Sequence, residues 1–286
     1  MRLLQWTTEH LRKSGSSTPR LDAEVLLAHA KDCERIELYT AFNEEPPEEV
    51  KAKFRELIKR RAAGEPVAYL VGKKEFYSIS FKVGTECLIP RSETEHLVME
   101  CLDRAKAMLQ TGQANPLQIA DVCTGCGCVA IAIAKHLPIA HVTAIDISDG
   151  ALVIARDNVA LHGLADRIDV RHGNLLDSID AGTLDFVVSN PPYVSESEFE
   201  TLDKTVKNYE PKLALVSGET GLEVIEQLVI QGASKLKPGG WLLCELSPMI
   251  ADGALSLVTN TEGWSEASII KDLAGLKRLV VARKPL

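Results

Sequence analysis

A chain of 286 residues, 45% hydrophobic and 25% charged, is long enough for one large core or for two domains of unequal size. No apolar run approaches the length of a membrane span and the N-terminus lacks the extended apolar segment of a secretory signal, so a soluble, cytoplasmic protein is expected. The net charge of −8 argues against phosphate-backbone binding as the main activity; residues 1–80 hold 14 Lys/Arg against 13 Asp/Glu, and the rest 18 against 27, so the acidity lies C-terminally.

Up to about residue 63 the pattern is helical. Leu21, Val25 and Ala28 repeat at helix spacing, as do Phe54, Leu57 and Ile58 in the segment opened by Pro46-Pro47, and together they read as a small helical bundle. The basic cluster Lys51, Lys53, Arg55, Lys59, Arg60 and Arg61 falls here and reads as a solvated helix face. Gly64-Glu65-Pro66 breaks the helix, and residues 76–83 alternate as a strand or hairpin bridging two domains. From Glu93 a helical stretch leads into alternating strands and amphipathic segments: 117–122, 129–136, 141–147, 150–162, 168–172 and 184–189. That alternation predicts a mainly parallel sheet covered on both faces. A helix over 222–235, a strand over 241–245 after Pro238-Gly239-Gly240, and a last strand over 278–282 complete the chain.

The first strand of the sheet runs into Asp121-Val122-Cys123-Thr124-Gly125-Cys126-Gly127-Cys128 and then a helix, which is where a cofactor loop belongs. Gly125 and Gly127 let the backbone approach a ligand, and Asp146, ending the second strand, can receive both hydroxyls of a ribose. The same spacing satisfies a dinucleotide fingerprint, so a nicotinamide dehydrogenase competes. Against it, Asp121 suits the ammonium group of S-adenosylmethionine better than a pyrophosphate. Asn174 and Leu175, after the third strand, are placed to meet an adenine edge and face. Seven cysteines without dense spacing read as reduced thiols, and Cys123, Cys126 and Cys128 lack a second Cys/His cluster, so no metal site is expected.

Asn190-Pro191-Pro192-Tyr193 follows the apolar run 184–189. It points to methylation of a planar, non-basic NH2 group, whose lone pair is delocalised and which must be held and polarised rather than deprotonated. The Asn190 side-chain oxygen and the Pro191 carbonyl can each accept an N–H bond from it, Pro191 and Pro192 stiffen that framework, and Tyr193 can lie against the flat group. A carboxamide and a nucleobase are equally open at this point.

The residues resemble the protein-(glutamine-N5) methyltransferases of the HemK/PrmC type. The likeness is carried by Pro19–Glu24, Arg61–Gly72, Leu88–Glu95, Tyr209–Leu215 and Lys271–Arg278 and spans nearly the full length. It implies an α/β, Rossmann-like class I methyltransferase fold with a mainly parallel seven-stranded sheet, preceded by a small helical domain. The implied division is a helical substrate-recognition domain over 1–72, a β-hairpin linker over 73–90 and a methyltransferase domain over 91–286. It also implies S-adenosylmethionine as cofactor, leaving as S-adenosylhomocysteine, with Cys123 to Gly127, Asp146, Leu175 and Asn190 around it and Asn190 to Tyr193 around the glutamine. The implied partner is a peptide chain release factor, methylated at the glutamine of its Gly-Gly-Gln motif, with no nucleic-acid substrate. Two positions depart from the pattern: Cys123 and Ser92 stand where the family has Gly and Pro; Cys123 is tolerated if that position keeps an ordinary β conformation, so an altered pocket wall rather than a lost site is expected. The Cys-Thr-Gly-x-Gly-Cys loop is also similar to the sister enzymes that act on a large-subunit ribosomal protein. That substrate, or a nucleic-acid exocyclic amine, is the alternative.

Overall fold

The computed structural model describes residues 2–40, 45–110 and 116–286. They form two compact units, one of Met1–Lys73 with Asp203–Tyr209, the other of Lys74–Leu202 with Glu210–Leu286.

The first unit contains α1 (Arg2–Lys13), α2 (Pro19–Lys31), α3 (Glu37–Thr40), α4 (Glu48–Ala62) and α5 (Val67–Val71), joined by α10 (Lys204–Tyr209) from far along the chain. Leu11, Leu26, Phe54, Ile58 and Leu70 form its core. Two of the sequence motifs meet here: Arg61 Nε donates to Asp22 Oδ2 at 2.8 Å, and Asp22 also accepts from Ser16 and Thr18. Burying an ion pair needs such extra hydrogen bonds, because desolvation otherwise outweighs the attraction. The return of α10 to this unit has no local sequence signal; the Tyr209 hydroxyl donates to the Ala63 carbonyl at 3.2 Å, after the helix break. That break is followed by α5 rather than directly by strand. Three of the six residues of the basic cluster are ion-paired within the unit, Lys51 with Glu45 and Glu48, Arg60 with Glu65 and Arg61 with Asp22, while Lys53 donates to the His29 carbonyl.

The second unit opens with a hairpin, β1 (Lys73–Phe76) and β2 (Ile79–Lys82), whose turn residues Tyr77 and Ser78 both have positive φ, the mirror-image turn that matches strand twist. After α6 (Glu95–Gln110) come β3 (Leu117–Val122), α7 (Cys128–His136), β4 (Ala140–Asp146), α8 (Asp149–Leu161), β5 (Ile168–His172) and β6 (Leu184–Ser189). Then follow α9 (Glu196–Phe199), α11 (Glu223–Lys235), β7 (Leu236–Glu245), α12 (Ala251–Asn260), β8 (Glu266–Lys271) and β9 (Lys277–Arg283). Strand β7 begins five residues earlier than the sequence suggests and runs through Pro238-Gly239-Gly240, with a register shift against β6 between Leu184 and Phe186 that absorbs the irregular stretch. Helix α12 and strand β8 carry too weak a pattern to be predicted; every residue of β8 is at least partly exposed.

Seven strands make one sheet in the order β5-β4-β3-β6-β7-β9-β8, with β9 alone antiparallel to its neighbours. Helices α11 and α12 cover one face, where Ile225, Leu228 and Val258 meet Val122, Val187, Leu242 and Val280. Helix α6 packs on β6 and β7, and α7 and α8 on β4 and β5. The chain steps outward from β3 to β5, then returns to β6 on the other side of β3. That reversal opens a crevice at the carboxyl edge between β3 and β6. Among the described residues no helix is long and apolar enough to cross a membrane.

Candidate active site

Strand register sets the site. Val122 pairs with Ile145 on one side and Ser189 on the other, and Ser189 pairs with Cys244. The next residue on each strand therefore falls in one row across the carboxyl edge: Asp146, Cys123, Asn190 and Glu245. A cavity of about 450 Å³ opens along this edge.

At the β3 and β4 end the cavity is shaped by backbone. Cys123, Gly125 and Gly127 have φ of 59°, 56° and 81°, so three alternate residues are left-handed and the loop coils tightly between strand and helix. Cys123 thus does not have the β conformation on which its tolerance was conditioned, yet it lines the cavity wall. A non-glycine residue in that region costs about 1–2 kcal/mol; here the side chain packs against the sheet core, and burial pushes its thiol pKa up, keeping it neutral and non-nucleophilic. Asp146 Oδ2 accepts from the Gly125 amide at 2.8 Å and Oδ1 from the Ser148 amide at 2.9 Å, so its carboxylate is held by backbone on both oxygens. Asn158, fully buried on α8, donates to the Cys126 and Lys82 carbonyls and ties this loop to the hairpin.

Asp121 is 1% exposed. Its Oδ2 accepts from the Thr124 hydroxyl at 2.5 Å and the Ala130 amide at 3.0 Å, while Oδ1 has no partner. Burial, reinforced by the nearby Asp146, raises its pKa to about 7 against those two hydrogen bonds. A buried carboxylate oxygen on a cavity wall, left without a donor, fits a cationic group and repels a pyrophosphate. Asp121, Asp146 and Glu86 all line the cavity, so the wall fits S-adenosylmethionine, with its ammonium and sulfonium, better than a nicotinamide dinucleotide.

Of the residues predicted from sequence, Asp121, Cys123, Thr124, Gly125, Cys126 and Asp146 line the cavity, as do Asn174, Leu175, Asn190 and Pro192. Gly127, Pro191 and Tyr193 do not. Gly127 caps α7 and lies against Ala155 of α8, behind the wall. Tyr193 packs on the sheet core, with its hydroxyl 3.5 Å from Glu245 Oε1. Its carbonyl is held where Gly221 must be glycine, since a Cβ there would come within 2.6 Å of the Tyr193 oxygen.

The β6 and β7 end depends on side chains the sequence reading did not single out. Asn190 Nδ2 donates to Thr94 Oγ1 at 3.0 Å, which turns the amide so that its oxygen points away from Thr94. Glu210, 6% exposed, accepts from the Ile89 amide and from Arg91 at 2.5 Å, clamping the segment that contributes Leu88, Pro90 and Thr94 to the wall. Glu245 ends β7 as Asp146 ends β4, and an acid closing a buried apolar strand was the available signal. All seven cysteines are free thiols, and among the described residues no group of three or more His, Cys, Asp or Glu is arranged to hold a metal ion.

Sheet order and edge chemistry together define a Rossmann-like methyltransferase. A PrmC N-terminal domain model matches residues 2–72 and a methyltransferase small domain model residues 97–214. The chain is 49% identical to a release factor glutamine methyltransferase of Rhodopirellula baltica, over 99% of this chain and 96% of that one. It is 40% identical to one of Koribacter versatilis, over 97% and 95%. Among solved structures, the catalytic domain of hMettl16, determined with a MAT2A 3′UTR hairpin, covers 80% of this chain and 82% of its own with a TM-score of 0.57 and 18% identity, a likeness of fold. The chain belongs to the release factor glutamine methyltransferase family.

Proposed function

We propose that this protein methylates the side-chain amide nitrogen of the glutamine in the Gly-Gly-Gln motif of peptide chain release factors, acting in the cytoplasm with S-adenosylmethionine as methyl donor. The observation that carries the chemistry is the orientation of Asn190: with Nδ2 committed to Thr94, its oxygen is the group left to accept an N–H bond in the cavity. Support for the substrate comes from full-length similarity to enzymes named for it.

Asp121, Asp146, Asn174 and Leu175 would hold the cofactor, which when bound supplies an electrophilic methyl group. The protein's own part is positioning and electrostatics. The Asn190 oxygen accepts an amide hydrogen and aims the nitrogen lone pair; the Pro191 carbonyl, which is off the cavity wall, would take the second hydrogen only if the bound amide reaches past Asn190. As the nitrogen gains positive charge those bonds strengthen, so they stabilise the transition state more than the ground state. No group here needs to act as a strong base, in keeping with the push of three cavity thiols, those of Cys87, Cys123 and Cys126, towards the neutral form.

Residues 1–72 form, in this reading, the recognition domain, because one flexible glutamine offers little by which to choose a partner. Residues 73–90 link it to the methyltransferase domain over 91–286. The test is incubation with methyl-labelled S-adenosylmethionine and, separately, a release factor, a Gly-Gly-Gln peptide, ribosomal proteins and nucleic acid. Label on the release-factor glutamine, with much less on the peptide, is expected. Label on ribosomal protein or nucleic acid instead would overturn the substrate assignment.

A further inference from the structure

The segment after the hairpin carries an acid to which the chemistry above assigns no contact. Glu86 lines the cavity and, among the described residues, makes no hydrogen bond or ion pair. Its place is nonetheless built. Lys82 is bonded through both its amide and its carbonyl to the buried Asn158 of α8, and the Cys87 amide donates to the Gly84 carbonyl at 3.2 Å, closing the turn that presents Glu86. The side chain lies across Gly150 in the first turn of α8: a Cβ on Gly150 would come within 2.6 Å of Glu86 Oε2 and 3.0 Å of its Cβ and Cγ. Gly150 is not among the glycines with positive φ, so the close approach of Glu86, and not backbone strain, is what disfavours a side chain there.

We propose that Glu86 shares the ribose of the cofactor with Asp146, each acid accepting one of the two ribose hydroxyls. This rests on the reading of the cavity as the S-adenosylmethionine site. Both Asp146 oxygens already accept a backbone amide, from Gly125 and from Ser148, which leaves each with reduced capacity for a ligand. Glu86 has its full accepting capacity free. The two acids flank one short turn: Asp146 accepts from the Ser148 amide, Ser148 caps α8 by accepting from the Ala151 amide, and Glu86 lies on Gly150 between them. A vicinal diol is the part of the cofactor with two neighbouring hydroxyl donors, and two carboxylates along one turn are its complement.

An acid beside a helix N-terminus also has a plain structural use, since it complements the partial positive charge of the first turn. Asp149 already supplies a negative charge in the first turn of α8. That use, moreover, requires neither a place on the cavity wall nor a glycine beneath the side chain, and Glu86 has both.

The test measures, by calorimetry on the full-length protein, affinity for S-adenosylhomocysteine and for its 2′-deoxy and 3′-deoxy forms. The wild type is expected to bind each deoxy form about tenfold more weakly, the low end for a hydrogen bond to a charged group, because Glu86 is open to solvent. Glu86→Ala is expected to bind S-adenosylhomocysteine about tenfold more weakly and to lose the penalty for one deoxy form while keeping the other, whose hydroxyl goes to Asp146. Glu86→Gln, whose carbonyl still accepts, recovers part of the loss. Gly150→Ala displaces the Glu86 side chain by placing a better helix former beneath it, and is expected to reproduce the loss with Tm not lowered. Deoxy penalties that are the same in wild type and Glu86→Ala would overturn the shared contact, and are what a helix-terminal charge alone would give. Full-strength binding by Gly150→Ala would overturn it as well. If the wild type binds no S-adenosylhomocysteine, the cofactor reading fails and the role of Glu86 with it; if it binds and the Glu86 variants match it, only the role of Glu86 fails.

Discussion

The two ends of the sheet edge solve the same problem in different ways. At β3 and β4 the ligand-facing surface is made by backbone: three left-handed residues, and a carboxylate, Asp146, gripped by the amides of Gly125 and Ser148. At β6 and β7 it is made by side chains reaching from distant segments, with Asn190 oriented by Thr94, which is 96 residues away. A backbone cradle tolerates substitution as long as the required φ values are met, as Cys123 illustrates. A side chain oriented by another side chain loses its orientation when that partner changes character. The cofactor end is therefore expected to respond to mutation in affinity, and the acceptor end in turnover.

The largest expected effect is at Asn190. Asn190→Ala removes the oriented acceptor and is expected to lower kcat by about 10²–10³, the range for a single preorganised transition-state hydrogen bond, while cofactor affinity stays near the wild-type value. Single-turnover methyl transfer together with calorimetry separates the two; an affinity loss as large as the rate loss would erase the division between the ends of the edge.

Asp121 sharpens the comparison from the other side through pH. Its folded-state pKa, raised to about 7, means that from the ordinary aspartate range up to neutrality the folded protein holds a proton the unfolded chain has lost. Stability of the ligand-free protein is therefore expected to fall as pH rises through that window, and Asp121→Asn flattens the slope. A cationic ligand reverses the preference, because it favours the ionised carboxylate. Affinity for S-adenosylmethionine is expected to increase between about pH 6 and 8. Thermal unfolding with and without the ligand across that range measures both; pH-independent affinity in the wild type would remove Asp121 from the cofactor's cation.

What was legible in the sequence follows the same division. The glycine loop, Asp146 and the Asn-Pro-Pro-Tyr turn are local patterns, and strands such as β3, β5 and β6 are recognisable because they are apolar runs bounded by turn residues. Asp121, Asp146 and Asn190 indeed meet at one cavity. Thr94 and Glu245 were not legible as site residues, since nothing local distinguishes a threonine opening a helix or an acid ending a strand from its many structural counterparts. Strand register sets Glu245 beside Asn190, and Thr94 is joined to the site by the hydrogen bond it accepts from Asn190. The conformation of Cys123 was not legible for a related reason: φ at one residue is imposed by the loop closing from β3 onto α7, with the Thr124 amide held by the Ile145 carbonyl.

The smallest expected effect concerns Tyr193, where sequence and structure assign the ring different work. A ring pressed against the substrate amide would be felt in KM. The ring instead packs on the sheet core, and its hydroxyl makes a long 3.5 Å contact to Glu245. A bond of that length is weak, so Tyr193→Phe is expected to change stability by less than about 1 kcal/mol and leave KM for the release factor unaltered. Tyr193→Ala removes the packing and is expected to lower stability by about 3 kcal/mol, read as a drop in Tm, with KM again little changed. A large rise in KM for both variants without a fall in Tm would return the ring to the substrate. It would also make the acceptor end a three-sided clamp of Asn190, Pro191 and Tyr193, in place of a single amide oriented by Thr94.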